Sequence, residues 1–137
     1  MTNATVPRAA TAPPYDAAAV RAVAAAADAR TAQLDTLRQI PFDLHEQAAD
    51  AGLFRQLVPA EFGGQQRTPL DWFRTGVELA RHEASLGWVV TQGAVELGWI
   101  AAGGDPDWAA EVLADLRGTS ASTSAGRGRI DVAGARV

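Results

Sequence analysis

The chain has no cysteine, which excludes disulfides, thiolate metal sites and a cysteine nucleophile, and leaves the redox compartment open. It has no lysine either, all twelve basic residues being arginines, so the phosphate-loop motif is excluded. Residues 1–14 lack both a basic n-region and an apolar h-region, so they do not form a signal peptide, and a cytoplasmic location is the expectation. Only two histidines occur, His45 and His82, and their spacing is not that of metal ligands. Both are expected to be solvent-exposed or to cap helices, and no metal site is expected. The net charge of -4 is mild and gives no reason to expect nucleic acid or a membrane surface as a partner.

What is present is helical. A length of 137 residues suits one domain. Residues 1–14, rich in Thr, Ala and Pro, read as a disordered lead-in. From Tyr15 to about Arg38, Val20, Val23, Ala27, Leu34 and Leu37 recur at helical steps, which predicts one long amphipathic helix ended by Pro41. A second helix is expected from Asp43 to Ala51, with Asp43 as N-cap, Glu46 at capping-box spacing and Gly52 as the left-handed stop. An apolar patch (Leu53, Phe54, Leu57, Val58) leads to a glycine-bearing loop over 61–66, with Phe62 as its anchor in the core.

The third helix has the clearest start signal, Thr68 as N-cap with Pro69 and Asp71 in the first turn, and runs to His82. Its two apolar faces, Leu70, Phe73, Val77 and Ala80 beside Trp72, Gly76 and Leu79, predict cover on more than one side. The fourth, capped by Ser85 and running to Ala102, is apolar almost all round and is expected at the centre of a bundle. Gln92, Glu96 and three glycines argue against its crossing a membrane. A fifth begins at Asp105-Pro106 and runs to Leu116, with Trp108, Val112 and Leu113 facing inward. From Gly118 the helical period stops. Residues 118–137 read as the beginning of a β-rich segment.

No catalytic constellation can be assembled: there is no nucleophile elbow, triad or carboxylate dyad, and Gly126-Arg127-Gly128 lacks the rest of a dinucleotide fingerprint. Three features remain. Glu96, an acid in an apolar helix, marks a wet stripe, lines a pocket or pairs with an arginine. Trp88 and Trp99, eleven residues apart, share a face, either as core or, for Trp88, against an acyl or aromatic substrate. The run Thr119-Ser120-Ala121-Ser122-Thr123-Ser124 is a bare loop or a set of donors suited to a flavin edge or a diphosphate.

The order of elements is more specific than any one residue. The segment from Pro41-Phe42-Asp43-Leu44 through Ala51-Gly52-Leu53-Phe54, Val58-Pro59 and Glu61-Phe62-Gly63-Gly64 resembles the early helix and loop of the acyl-CoA dehydrogenase superfamily. Val77-Glu78-Leu79-Ala80-Arg81 followed by Ala84-Ser85-Leu86-Gly87-Trp88-Val89 resembles its next two helices, and the resemblance covers residues 15–137. It implies an all-α, up-and-down bundle of about five helices over 15–117 and the truncated beginning of a middle β-domain over 118–137. It further implies FAD, or reduced flavin supplied by a reductase, bound mainly by domains beyond this chain, a small-molecule substrate, and a homo-oligomeric parent, dimer or tetramer. Ser120, Ser122, Thr123 and Ser124 then fall where the family touches its flavin, with Trp88 and Glu96 as substrate-pocket candidates. No residue here matches the family's catalytic base, which lies in a later domain, so the chain is expected to be inactive alone.

Two branches stay open. The dehydrogenases oxidise a CH–CH bond of an acyl thioester. The Ser85-Leu86-Gly87-Trp88-Val89 helix start is also similar to flavin-dependent monooxygenases of the superfamily, and the dehydrogenases' Thr-Glu-Pro motif is not found in the 119–124 run. A helical interaction module without flavin chemistry, and an unrelated small bundle, are the competing readings.

Overall fold

A computed structural model describes residues 14–103 and 105–120. Among them the chain forms an all-α, up-and-down bundle of six helices: α1 (Ala17–Asp28), α2 (Thr31–Leu37), α3 (Phe42–Asp50), α4 (Pro69–His82), α5 (Ala84–Gly103) and α6 (Pro106–Val112). Two 3-10 turns, Leu53–Arg55 and Ala60–Phe62, connect α3 to α4. No strand occurs among the described residues, and the expected β-segment lies almost wholly outside them, at 121–137.

The long first helix of the sequence reading is two helices. Thr31 Oγ1 donates to the Asp28 carbonyl at 3.0 Å, and Arg30 turns aside to bond both carboxylate oxygens of Asp43 at 2.6 and 3.0 Å. A local side-chain bond to the backbone and a pull toward α3 therefore break the ladder that helix propensity favours. The same contact corrects the reading of Asp43 as an N-cap. Pro41 holds that position without a side-chain bond, and Asp43 is committed to Arg30. Gly52 does adopt the left-handed conformation, at φ 69°.

α4 begins as its signal predicts, with Thr68 Oγ1 accepting from the Asp71 amide at 3.2 Å and Pro69 in the first turn. The α4–α5 junction differs from expectation. A single residue, Glu83, joins the two helices, and its carboxylate, instead of Ser85, caps α5 by accepting from the Leu86 amide at 2.6 Å. With so short a turn, the residue that ends one helix is the only one placed to cap the next.

The core runs through Val20, Ala24, Leu44, Phe54, Leu79, Leu86 and Val90, where α1, α3, α4 and α5 meet the first 3-10 turn. Glycines set how close α5 comes: a Cβ on Gly87 would stand 2.9 Å from the Cβ and the amide nitrogen of Ala80 on α4. α4 packs against both α1 and α5, so the expected cover on more than one side is found, although Leu70 and Phe73 stay exposed while Thr75 and Leu79 are buried. Two expectations about facing are corrected here. α5 is covered on the side of Leu86, Val90 and Leu97 while both Trp88 and Trp99 stand in solvent, so neither is core. α6 turns Ala109 and Leu113 inward and Trp108 and Val112 outward. In each case close helix packing selects small or medium residues, and the large rings fall on the side the bundle does not close over.

Candidate functional site

The groove between α4 and α5 follows from that packing. Gly76 and Gly87 bring the two backbones together, with Ala80 and Ala84 between them, so the floor is made of small residues. Trp72, Phe73 and Trp88 stand along the sides, and the space encloses about 340 Å³ with an almost wholly apolar lining. This volume lies within the usual range of ligand pockets, roughly 300–1,000 Å³. Trp72 is held in place by its indole N–H, which donates to the Thr91 carbonyl at 3.3 Å. The Thr91 hydroxyl is turned back into its own helix, donating to the Gly87 carbonyl at 2.7 Å. The groove therefore offers aromatic faces and few free polar groups. Trp88, a predicted site residue, is on its wall and 66% exposed.

Glu96 is elsewhere. It is only 8% exposed and does not line the groove, so the wet-stripe reading of this acid is corrected. Eight residues separate it from Trp88, roughly 80° around the helix at about 100° per residue. Sequence reasoning placed both in one pocket, and the helical phase separates them.

A second locus forms where the chain leaves α6. The Arg117 guanidinium pairs with Glu46 at 2.6 Å and with Asp50, both on α3. His45 stacks on Phe54 with ring centroids 4.8 Å apart, and its Nε2 lies 3.1 Å from the Arg117 carbonyl, a hydrogen bond when Nε2 carries the proton. That histidine is half-buried, neither exposed nor a cap. Arg55, 3% exposed, adds a third hold: its guanidinium donates to the Phe62, Gly63, Leu113 and Asp115 carbonyls. Burial pushes the Arg55 pKa below the usual arginine value, with the Asp115 carboxylate opposing that shift. These anchors deliver Thr119 onto α5, where its Oγ1 covers Gly93 beside Phe54. Sequence reading missed Arg55 and Arg117 because an arginine that binds carbonyls or acids far along the chain has no local signature.

Of the predicted flavin-facing residues, only Ser120 lies among the described ones. Its Oγ is buried and has no hydrogen-bond partner among them. Such an orphaned hydroxyl fits the role of answering an incoming polar group. Ser122, Thr123 and Ser124 lie outside the described residues. Gly93 and Trp88 are roughly 140° apart around α5 by the same phase, so the groove and the Ser120 locus are on different sides of one helix.

A family model described as acyl-CoA dehydrogenase, N-terminal domain, matches residues 16–118. The chain belongs to this family. Its match ends at Gly118, the point to which Arg55 and Arg117 hold the chain against the bundle. No curated protein and no solved structure matches the chain. No helix among the described residues is long and apolar enough to cross a membrane.

Proposed function

We propose that this chain is the N-terminal portion of an FAD-dependent oxidoreductase of the acyl-CoA dehydrogenase type, forming one wall of its flavin and substrate cleft. The observation that carries the reading is the uncovered α4–α5 groove in a chain of this family, with Trp88 at 66% exposure on its wall. In this assignment Trp88 packs against the substrate and excludes water from it. Ser120, together with Ser122, Thr123 and Ser124, hydrogen-bonds the flavin from the other side of α5, and Glu96 supports the wall from within that helix. The flavin, when bound, supplies the electron acceptor. The residues of this chain bind and orient, and do not carry out the proton transfer.

A second reading within the same superfamily is a portion of a two-component flavin-dependent monooxygenase, using reduced flavin from a reductase. The aromatic walls of the groove, Trp72, Phe73 and Trp88, favour it, because ring faces suit a planar aromatic substrate better than a flexible acyl chain.

The test is a titration of the purified chain with FAD, followed by gel filtration, and then with a long-chain acyl-CoA and, separately, a simple phenol, read by tryptophan fluorescence. The expected result is no retained flavin and a response that Trp88→Phe removes, to the acyl-CoA in the dehydrogenase reading and to the phenol in the monooxygenase one. Stoichiometric yellow protein would overturn the assignment of the main flavin contacts to later domains. Identical responses from wild type and Trp88→Phe would overturn the assignment of Trp88.

A further inference from the structure

On the side of α4 facing α1, Val20 of α1 and Phe73 and Val77 of α4, the latter two shared with the groove, line a trough of about 320 Å³, with Arg21, Arg74 and Arg81 around it. Phe73 is 60% exposed. The one acid in the lining is Glu78. Arg74 and Arg81 have only loose partners one turn away, Asp71 at 3.5 Å and Glu78 at 4.0 Å, and their side chains are more than half exposed. Pairs of that kind contribute little and are readily exchanged. Arg21 has no ion pair among the described residues. In a chain of net charge -4, this is a basic-rimmed apolar surface.

Its complement is on the same chain. α6 exposes Trp108 and Val112, one helical turn apart, at 49% and 40%. Asp105, Asp107 and Glu111 surround them, and Pro106–Val112 contains no basic residue. The nearest arginine, Arg117, is occupied by Glu46 and Asp50 and does not offset these acids. The opposite side of α6, Ala109 and Leu113, is already buried in its own bundle. α6 is therefore an amphipathic segment with one face used and the other acidic and apolar.

We propose that α6 of one copy docks in the α1–α4 trough of a second copy, Trp108 and Val112 against Phe73 and Val77, with Asp107 and Glu111 facing Arg74 and Arg81. Opposite charge at the rim sets the register, and the buried rings supply the attraction. The contact is head-to-tail, joining two different surfaces. It does not depend on the flavin reading.

Sedimentation velocity on the full chain tests it, because two double variants carry the opposite defects. D107R/E111R makes α6 basic, and R74E/R81E makes the trough acidic. Wild type is expected to self-associate, more weakly in high salt, and each variant alone to lose at least tenfold in association constant. An equimolar mixture of the two is expected to recover association, because the basic α6 of one meets the acidic trough of the other. All the altered side chains are exposed, and unchanged circular-dichroism melts verify that both variants fold. A wild type monomeric at every concentration, variants that associate like wild type, or a mixture that stays monomeric would each overturn the proposal. So would association that survives both double variants and disappears with Trp88→Ser, which would place the contact on the α4–α5 groove.

Discussion

Between Leu53 and Arg67 the chain holds its shape with polar contacts, whereas α4 and α5 are held together by close apolar approach. In the first region Arg55 gathers four carbonyls, and the amides of Gln65, Gln66 and Arg67 bond back to the carbonyls of Arg55, Val58 and Gln56. Gly64 fits there because any Cβ would overlap the Val58 carbonyl. In the second region Gly76 and Gly87 let two helices touch, and the large rings are left outside. Apart from the buried Gln56 Oε1, the turn region is satisfied within the chain. The helix pair is not, and its uncovered rings are where the substrate wall is proposed.

The most damaging break should be Arg55→Met, which keeps the apolar stem but leaves the carbonyls of Phe62, Gly63, Leu113 and Asp115 without their donor. A loss of about 3 kcal/mol is expected, read as a lower urea midpoint at unchanged slope. A change below about 1 kcal/mol would mean that water replaces the guanidinium and that the polar description of this region is wrong. Next comes Gly87→Ala. Its new Cβ would meet Ala80 at 2.9 Å, so overpacking of roughly 1–3 kcal/mol should outweigh the gain in helix propensity of about 1 kcal/mol. A stabilised protein would show that α5 can slide away from α4.

A smaller effect should follow from acid. The hydrogen bond from Arg30 holds the Asp43 carboxyl below its ordinary value, against a lesser effect of desolvation. Its stabilisation is present above the ordinary carboxylate range and disappears as pH falls through the lowered folded value. Asp43→Asn should therefore lie below wild type at neutral pH and converge with it in acid. Parallel curves would remove the pair from the account of the α1–α2 break. The smallest effect on stability is expected for Trp88→Ser, within about 0.5 kcal/mol because the ring is already exposed. A loss of several kcal/mol would show that the ring is packed in solution, and would collapse the contrast between the two regions.

Helix existence and the start of α4 were legible because their causes are local: Thr68, Pro69 and Asp71 are neighbours whose chemistry needs no other element. Gly52 was legible for the same reason. The break at Ala29 and Arg30 was not, since half its cause, Asp43, lies thirteen residues on. Trp88 could be singled out as an aromatic at an interesting place. Whether it was core or surface could not, because helical period says which residues share a face but not which faces find partners. The same limit made Trp108 and Val112 look inward and grouped Glu96 with Trp88.

By itself the sequence determined the helical class, the absence of cysteine and lysine chemistry, the α4 cap, the left-handed glycine after α3 and the family resemblance, all of them read from residues near one another or in fixed order. Only the tertiary structure decided which apolar faces were closed over, that Glu83 caps α5, and that Arg55 and Arg117 hold the exit from α6. Those outcomes depend on distances between segments remote in the chain. Burial and pairing are properties of such distances, and local pattern carries no record of them.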